Sequence, residues 1–324
     1  MLTIGVLGAA RITDNALLKP AAEVDGVEVT AVAARSRGRA QEWAAKHGIP
    51  TVHDSYEALL ADPAIDAVYI PLPNGLHGRW TLAALEAGKH VLCEKPFTAN
   101  ADEAREVAAA AASSPLVVME AHHTSHHPQT KRAAEIVASG MLGDLVSAEA
   151  SFIVPMPPSD DIRWNPDLAG GSLMDLGCYP LRWLRDVLGS VPTVVSAVAS
   201  DRDGIDASMD ARLDYDGVPA RVRAAMWTTP PLLIGAKVVG SAATMKVRIP
   251  YAPQTGGKIS VTGEGVRLRE KASSKASYTF QLEAFRDAVI AGGPVLTDAA
   301  AAVETMQTID DVYRAAGMQP RRVS

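Results

Sequence analysis

The chain has 324 residues, 48% of them hydrophobic and 21% charged, which fits two folded domains at about 150 residues each and excludes a disordered chain. A formal net charge of −6 argues against a nucleic-acid partner, and no run of about 18 apolar residues is present to span a membrane. Two cysteines, Cys93 and Cys178, are too few for a disulfide framework or a four-cysteine zinc site and point to a reducing cytoplasm.

The near-apolar opening 2–10 has no basic stretch before it and reads as a buried strand, not as a leader. Strand-like runs follow at 2–7, 27–34, 67–71, 91–93 and 116–120. Between them lie Ala-, Leu- and Glu-rich helical patterns at 15–23, 37–47, 55–60, 80–87 and 101–113. Repeated βα units predict an α/β fold, a doubly wound parallel sheet covered by helices on both faces. After His127-Pro128 the pattern changes. A helix at 130–138 leads into longer alternating strands at 145–153, 194–199, 211–215, 220–227, 236–241, 245–249 and 258–262. These predict an α+β second domain with an open, mostly antiparallel sheet. Helices are expected at 173–188, with a kink near Tyr179 because of Pro180, and at 279–291 and 298–316. The domains are therefore placed at 1–122, binding a dinucleotide, and 123–324, binding substrate and other subunits. The C-terminal helices are candidates for packing back on the first domain.

The motif Gly5-Val6-Leu7-Gly8-Ala9-Ala10-Arg11 joins the first strand to a helical pattern, where a dinucleotide fold places its phosphate turn. The Gly-x-Gly-x-x-Gly spacing is not met, because Ala10 and Thr13 stand at the second and third glycine positions. The second strand ends in Arg35-Ser36 with no Asp or Glu for a ribose 2′-hydroxyl. A guanidinium and a hydroxyl there suit a 2′-phosphate, so NADP(H) is preferred over NAD(H). Lys95, in Glu94-Lys95-Pro96, follows a parallel strand and faces the ligand crevice. Asp175 and Tyr179 share one face if helical.

Together, Gly8-Ala9-Ala10-Arg11-Ile12, Pro71-Leu72-Pro73-Asn74 with His77, the run from Gly88 to Pro96, and the Asp175–Tyr179 segment resemble the Gfo/Idh/MocA oxidoreductases. The resemblance covers the whole chain. It is nearest the members with tyrosine at the last motif position, similar to dimeric dihydrodiol dehydrogenase, glucose-fructose oxidoreductase and sugar ketoreductases. It implies a dehydrogenase or reductase acting on a secondary alcohol or carbonyl of a sugar or other polyhydroxylated ring. Lys95 would orient the substrate oxygen, Tyr179 would be the acid/base, and Asp175 would hold substrate hydroxyls or Lys95. Gly8, Ala9, Ala10, Arg11, Ile12, Arg35, Ser36, Pro71, Asn74, His77, Glu94 and Lys95 would bind the cofactor. His122, Arg163 and Trp164 are the substrate-binding candidates. The chemistry agrees: a phenol with a pKa of about 10 becomes a usable base beside an ammonium.

Four of the eight histidines fall between His122 and His127, where relatives carry aromatic residues and an arginine. Their i,i+4 spacing suits a metal only on a helix, and Pro128 argues for a loop, so no metal is expected. Trp164, Trp183 and Trp227 are candidates for stacking on a sugar, with core packing expected for at least two. A homodimer or homotetramer through the C-terminal sheet is expected. Two other activities fit the same fold: cleavage of a glycoside with a transiently reduced NAD, and cofactor sensing without catalysis. Retention of both Lys95 and Tyr179 argues against the second.

Overall fold

The computed structural model of the chain describes residues 1–227 and 232–322. Two compact units are formed, Met1–His122 with Tyr278–Val303, and His123–Ser277 with Glu304–Ser324.

The first unit is built on β1 (Leu2–Leu7), β2 (Val27–Ala33), β3 (Thr51–His53), β4 (Ala67–Ile70), β5 (His90–Glu94) and β6 (Val118–Ala121). All neighbours are parallel, in the order β3-β2-β1-β4-β5-β6. Every residue of β4 and β6 is buried. Helices on both faces remove water from such strands, which is why β4 reads as a continuous apolar run; β6 departs from it only at the buried Glu120. The connecting helices are α1 (Lys19–Ala21), α2 (Arg37–His47), α3 (Tyr56–Leu60), α4 (His77–Glu86) and α5 (Ala101–Ala112). Ser36, Ser55 and Asn100 cap α2, α3 and α5 by accepting backbone N–H bonds from three residues on. Leu282 and Phe285, from the helix Ser277–Ala291, are fully buried in one core cluster with Ile4, Val32 and Leu92. Thr297 Oγ1 donates to the Glu120 carbonyl while Glu120 N–H donates back to Thr297, which covers the free edge of β6.

Two expectations are corrected here. β3 is a sixth strand, too short at three residues to give an alternation. The first helix is not a continuous run over 15–23: a π-turn, Asp14–Leu18, precedes the three-residue α1 and its Pro20.

The second unit carries β7 (Leu145–Ile153), β8 (Thr193–Arg202), β9 (Ile205–Tyr215), β10 (Val218–Ala225), β11 (Leu233–Gly240), β12 (Ala243–Arg248), β13 (Lys258–Gly263) and β14 (Val266–Lys271). Their order is β14-β13-β12-β11-β7-β10-β9-β8; only β7 and β10 run parallel. β14 had no strand predicted for it, because its residues are alternately half-buried and exposed and only Val266 and Leu268 are apolar. Helices α6 (Pro128–Ala138) and α7 (Cys178–Leu188) pack together, α7 on β7 and β10 and α6 on β13. The chain ends in α8 (Ser277–Ala291) and α9 (Ala299–Ala315). Residues 278–303 lie in the first unit, and α9 passes from the first unit to the second at Glu304.

Candidate active site

In the first unit the strand order reverses between β1 and β4, so their carboxyl ends flank the crevice where open α/β sheets bind ligands. The turn from Gly8 to Ile12 follows β1, and Pro71 follows β4. Gly8 has φ +118°, and a Cβ there would meet Leu72 Cδ2 at 2.9 Å. Glycine therefore lets the turn close against the end of β4. Among the described residues, the Ala9 and Ile12 backbone N–H groups have no partner within the chain. Arg39 Nη2 donates to the Ala9 carbonyl at 3.0 Å and steadies the turn from behind.

At the end of β2 the three arginines differ. Arg37 is paired with Asp54, and Arg39 holds the Ala9 carbonyl of the turn after β1. Arg35 is exposed and makes no ion pair among the described residues, and Ser36 is spent as a helix cap only through its acceptor side.

Lys95 immediately follows β5 and is half-buried. Glu94 is nearly buried; its two oxygens accept from the Tyr69 hydroxyl at 2.7 Å and the Lys95 N–H at 3.2 Å. His77, expected among the cofactor contacts, is corrected: it is fully buried, and its ring nitrogens face the carbonyls of Leu72 at 2.7 Å and Pro96 at 2.8 Å. It is a strut that ties the end of β4 to the segment after Lys95. Two carbonyl acceptors favour a protonated ring, but burial outweighs them and, with the Lys95 charge, lowers the pKa to about 4. Asn74 opens a 3-10 turn, Asn74–Leu76, and Pro71 is buried beside it in sequence. His122, the last residue of this unit's first segment, is fully buried.

In the second unit Asp175 lies in a π-turn, Leu173–Gly177, that runs into α7. The wider turn replaces the continuous helix expected over 173–188 and lets Pro180 sit in the first turn of α7, where its missing N–H costs little. Asp206 fixes the start of the π-turn: its Oδ2 accepts from Leu173 N–H at 2.7 Å and Ser172 Oγ at 2.9 Å. Arg163 Nε donates to Asp175 Oδ2 at 2.8 Å, which brings two predicted residues together. Trp164 packs on the cluster of Leu176, Ile205, Ala224 and Met226. Trp183 is core, whereas Trp227 is 53% exposed.

Tyr179 sits in an aromatic cage, with ring centroids 5.4 Å from Phe152, 5.7 Å from Tyr251 and 5.6 Å from His123. Its hydroxyl lies 3.2 Å from His123 Nε2. Tyr251 differs in kind: its buried hydroxyl has no hydrogen-bond partner among the described residues, and burial pushes its pKa well above 10. Of the two phenols, Tyr179 is the one whose hydroxyl meets a side-chain partner among the described residues. Sequence reasoning missed His123; the histidine run was visible, but the spacing did not say which member meets Tyr179. Among the described residues no three His, Cys, Asp or Glu side chains are grouped to hold a metal ion. Cys93 and Cys178 are both buried and form no disulfide.

Comparisons with known proteins agree with this fold. The family model for the GFO/IDH/MocA oxidoreductases with an NAD-binding Rossmann fold matches residues 2–122, and the model for the GFO/IDH/MocA C-terminal domain matches residues 130–246. The chain is 40% identical over 318 residues to D-xylose 1-dehydrogenase (NADP(+)) 2 of Haloferax volcanii, covering 97% of each. It is 42% identical over 195 residues to trans-1,2-dihydrobenzene-1,2-diol dehydrogenase of Sus scrofa, covering 59% of this chain and 57% of that one. Among solved structures, KijD10, a 3-ketoreductase from Actinomadura kijaniata in complex with NADP and TDP-benzene, superposes with a TM-score of 0.88 at 30% identity over 97% of both chains.

Proposed function

The chain belongs to the Gfo/Idh/MocA oxidoreductase family, and from that premise we propose that it is an NADP(H)-dependent enzyme interconverting a secondary alcohol and a carbonyl on a sugar. The observation that carries this reading is the pairing, in one chain, of a dinucleotide sheet with Lys95 at the carboxyl end of β5 and a second unit whose caged Tyr179 hydroxyl has a histidine partner.

The cofactor fits the residues present. The N–H groups of Ala9 and Ile12 suit the pyrophosphate, and Arg35, which makes no ion pair among the described residues, suits a 2′-phosphate together with Ser36. When bound, NADP(H) supplies or takes up the hydride. The chain's own residues move the proton. Tyr179 exchanges it with the substrate oxygen, and Lys95 is the residue proposed to orient that oxygen. Asp175, held by Arg163, accepts from a neighbouring sugar hydroxyl. Arg163 and Trp164 border that subsite. Asn74, Pro71 and Glu94 support the nicotinamide end.

We further propose a homodimer or homotetramer through the second sheet. α6 and α7 cover one face of it; the other carries a groove of about 1100 Å³ lined by Arg223, Arg248, Lys258 and Lys271 among others. Val198, 72% exposed, stands in the same cross-strand row as Arg223, Arg248 and Lys258. No helix among the described residues is long and apolar enough to cross a membrane. A cytoplasmic location is proposed on the two buried thiols.

The test is spectrophotometric. NADP+ reduction with D-xylose and other aldoses, and NADPH oxidation with ketosugars and diketones, should find a substrate. Aglycone release from glycosides without net NADPH formation would replace this reading with glycoside cleavage.

A further inference from the structure

The partner of Tyr179 is itself held in one orientation. His123 is nearly buried, and its Nδ1 lies 2.7 Å from Ser277 Oγ. The Ser277 hydroxyl donates to Gln254 Oε1 at 3.4 Å. A serine has one hydroxyl proton, and the Nδ1–H tautomer of His123 is the one that goes with that proton directed at the amide oxygen. Ser277 can then meet His123 only as an acceptor, which requires hydrogen on Nδ1. Nε2 is left with a bare lone pair, 3.2 Å from the Tyr179 oxygen, and the phenol donates to it. The edge-to-face packing of the two rings, inclined at 66°, keeps that geometry.

We propose that His123 is a positioning residue for Tyr179: Ser277 and Gln254 lock its imidazole as the Nδ1–H tautomer, so that Nε2 takes the phenol proton as substrate is oxidised. The proposal rests on the reading of Tyr179 as the acid/base. During oxidation the substrate O–H bond breaks and its proton passes to the Tyr179 oxygen. The Tyr179 O–H bond breaks and its proton passes to His123 Nε2. The carbinol hydrogen leaves with its electron pair as hydride to the cofactor, and after product leaves the imidazolium returns its proton to the Tyr179 oxygen, whose own proton passes to water entering the vacated site. Reduction reverses each transfer. Gln254 cannot carry the proton further, because an amide oxygen is too weak a base, so the Ser277–Gln254 pair orients and does not conduct.

The experiment combines a spectroscopic and a kinetic arm on the full chain. Nitrogen-15 spectra of the imidazole, recorded without cofactor, should show His123 as the Nδ1–H tautomer, and Ser277→Ala should mix in the other tautomer. With NADP+ and D-xylose, or the aldose of highest turnover, His123→Gln should lose about 10²-fold in kcat with KM within a few-fold, because an amide accepts the hydrogen bond but not the proton. Imidazole in the medium should restore part of the kcat of His123→Ala. An Nε2–H tautomer in the parent, or a His123→Gln enzyme with the parent kcat, overturns the proposal. Tyr179→Phe separates the two ideas. If it keeps the parent kcat, the reading of Tyr179 fails and takes the catalytic half of the proposal with it, whatever the spectra show. If it is slow while His123→Gln is not, only His123 is misassigned.

Discussion

Arg163 Nε donates to Asp175 Oδ2 at 2.8 Å, joining a 3-10 turn at Ile162–Trp164 to the π-turn that precedes Tyr179. Asp161 accepts from the same guanidinium and from the Arg163 backbone N–H, so the arginine is held from both ends. The carboxylate that the sequence offered to a sugar hydroxyl is thus pre-oriented by a cation. Arg163 is 36% exposed, so solvent screens the pair, and a double-mutant cycle of Arg163→Gln and Asp175→Asn should give about 1 kcal/mol of coupling in denaturation. Each single variant should raise KM for the sugar while leaving NADPH affinity unchanged. Strictly additive effects on stability would show that the two side chains do not interact.

Behind the same turn, Asp206 is wholly buried and accepts from Arg321 Nη2, Tyr313 Oη, Ser172 Oγ and Leu173 N–H. Arg321 also donates to the Gly204 carbonyl at 2.6 Å. Removing the cation leaves a buried carboxylate without its charge partner, so Arg321→Met should destabilise the protein by about 3–5 kcal/mol. The exposed neighbour changed in the same way, Arg322→Met, should change stability by less than about 0.5 kcal/mol. Equal urea midpoints for the two variants would contradict this account.

Acid should destabilise the fold through histidines whose pKa burial lowers, His77 and His126 most and His90 and His127 in the same direction. Burial lowers both His77 and His126 from 6.5 to about 4. Between those values the unfolded chain binds protons that the native state refuses, so stability falls as pH drops from about 6.5 to about 4. The loss is at most about 3 kcal/mol per site. Glu103, whose carboxyl is pushed up by burial, works in the opposite direction. Comparison with a variant removes that background. His77→Gln should have a lower Tm than the parent at pH 7.5 and a shallower decline towards pH 4.5. Parallel curves would mean that His77 is not the titrating group.

Cofactor choice should follow Arg35. One charge-assisted hydrogen bond of about 1.5–3 kcal/mol corresponds to about 10–150-fold in affinity. Fluorescence titration should show NADPH binding more tightly than NADH by a factor in that range, and Arg35→Asp should shrink or reverse the preference. Equal dissociation constants in the parent would remove the 2′-phosphate assignment.

The doubly wound sheet was legible because strands such as β1 and β4 are buried along nearly their whole length and stand out as apolar runs. β3 was not, since three residues cannot display a period. The π-turns at Asp14–Leu18 and Leu173–Gly177 were not, because a helical repeat in sequence does not distinguish i+4 from i+5 bonding. Motif positions were legible wherever the backbone decides them, as at Gly8. Roles that depend on a distant partner were hidden. His77 looked like a ligand-facing residue until the Leu72 and Pro96 carbonyls closed around it. His123, four residues before His127, gained its meaning from Ser277, which is 154 residues away in the chain.

The central claim is that Tyr179 moves the proton in an NADP(H)-dependent sugar oxidoreduction. Tyr179→Phe removes one hydroxyl and keeps the ring that packs on Phe152 and Tyr251, so folding and NADPH binding should survive. Steady-state kcat on the best sugar substrate is the measurement. A fall of about 10²–10⁴-fold with an unchanged NADPH dissociation constant is the predicted result. Turnover within a few-fold of the parent would contradict the account and make Lys95 the next candidate for the acid.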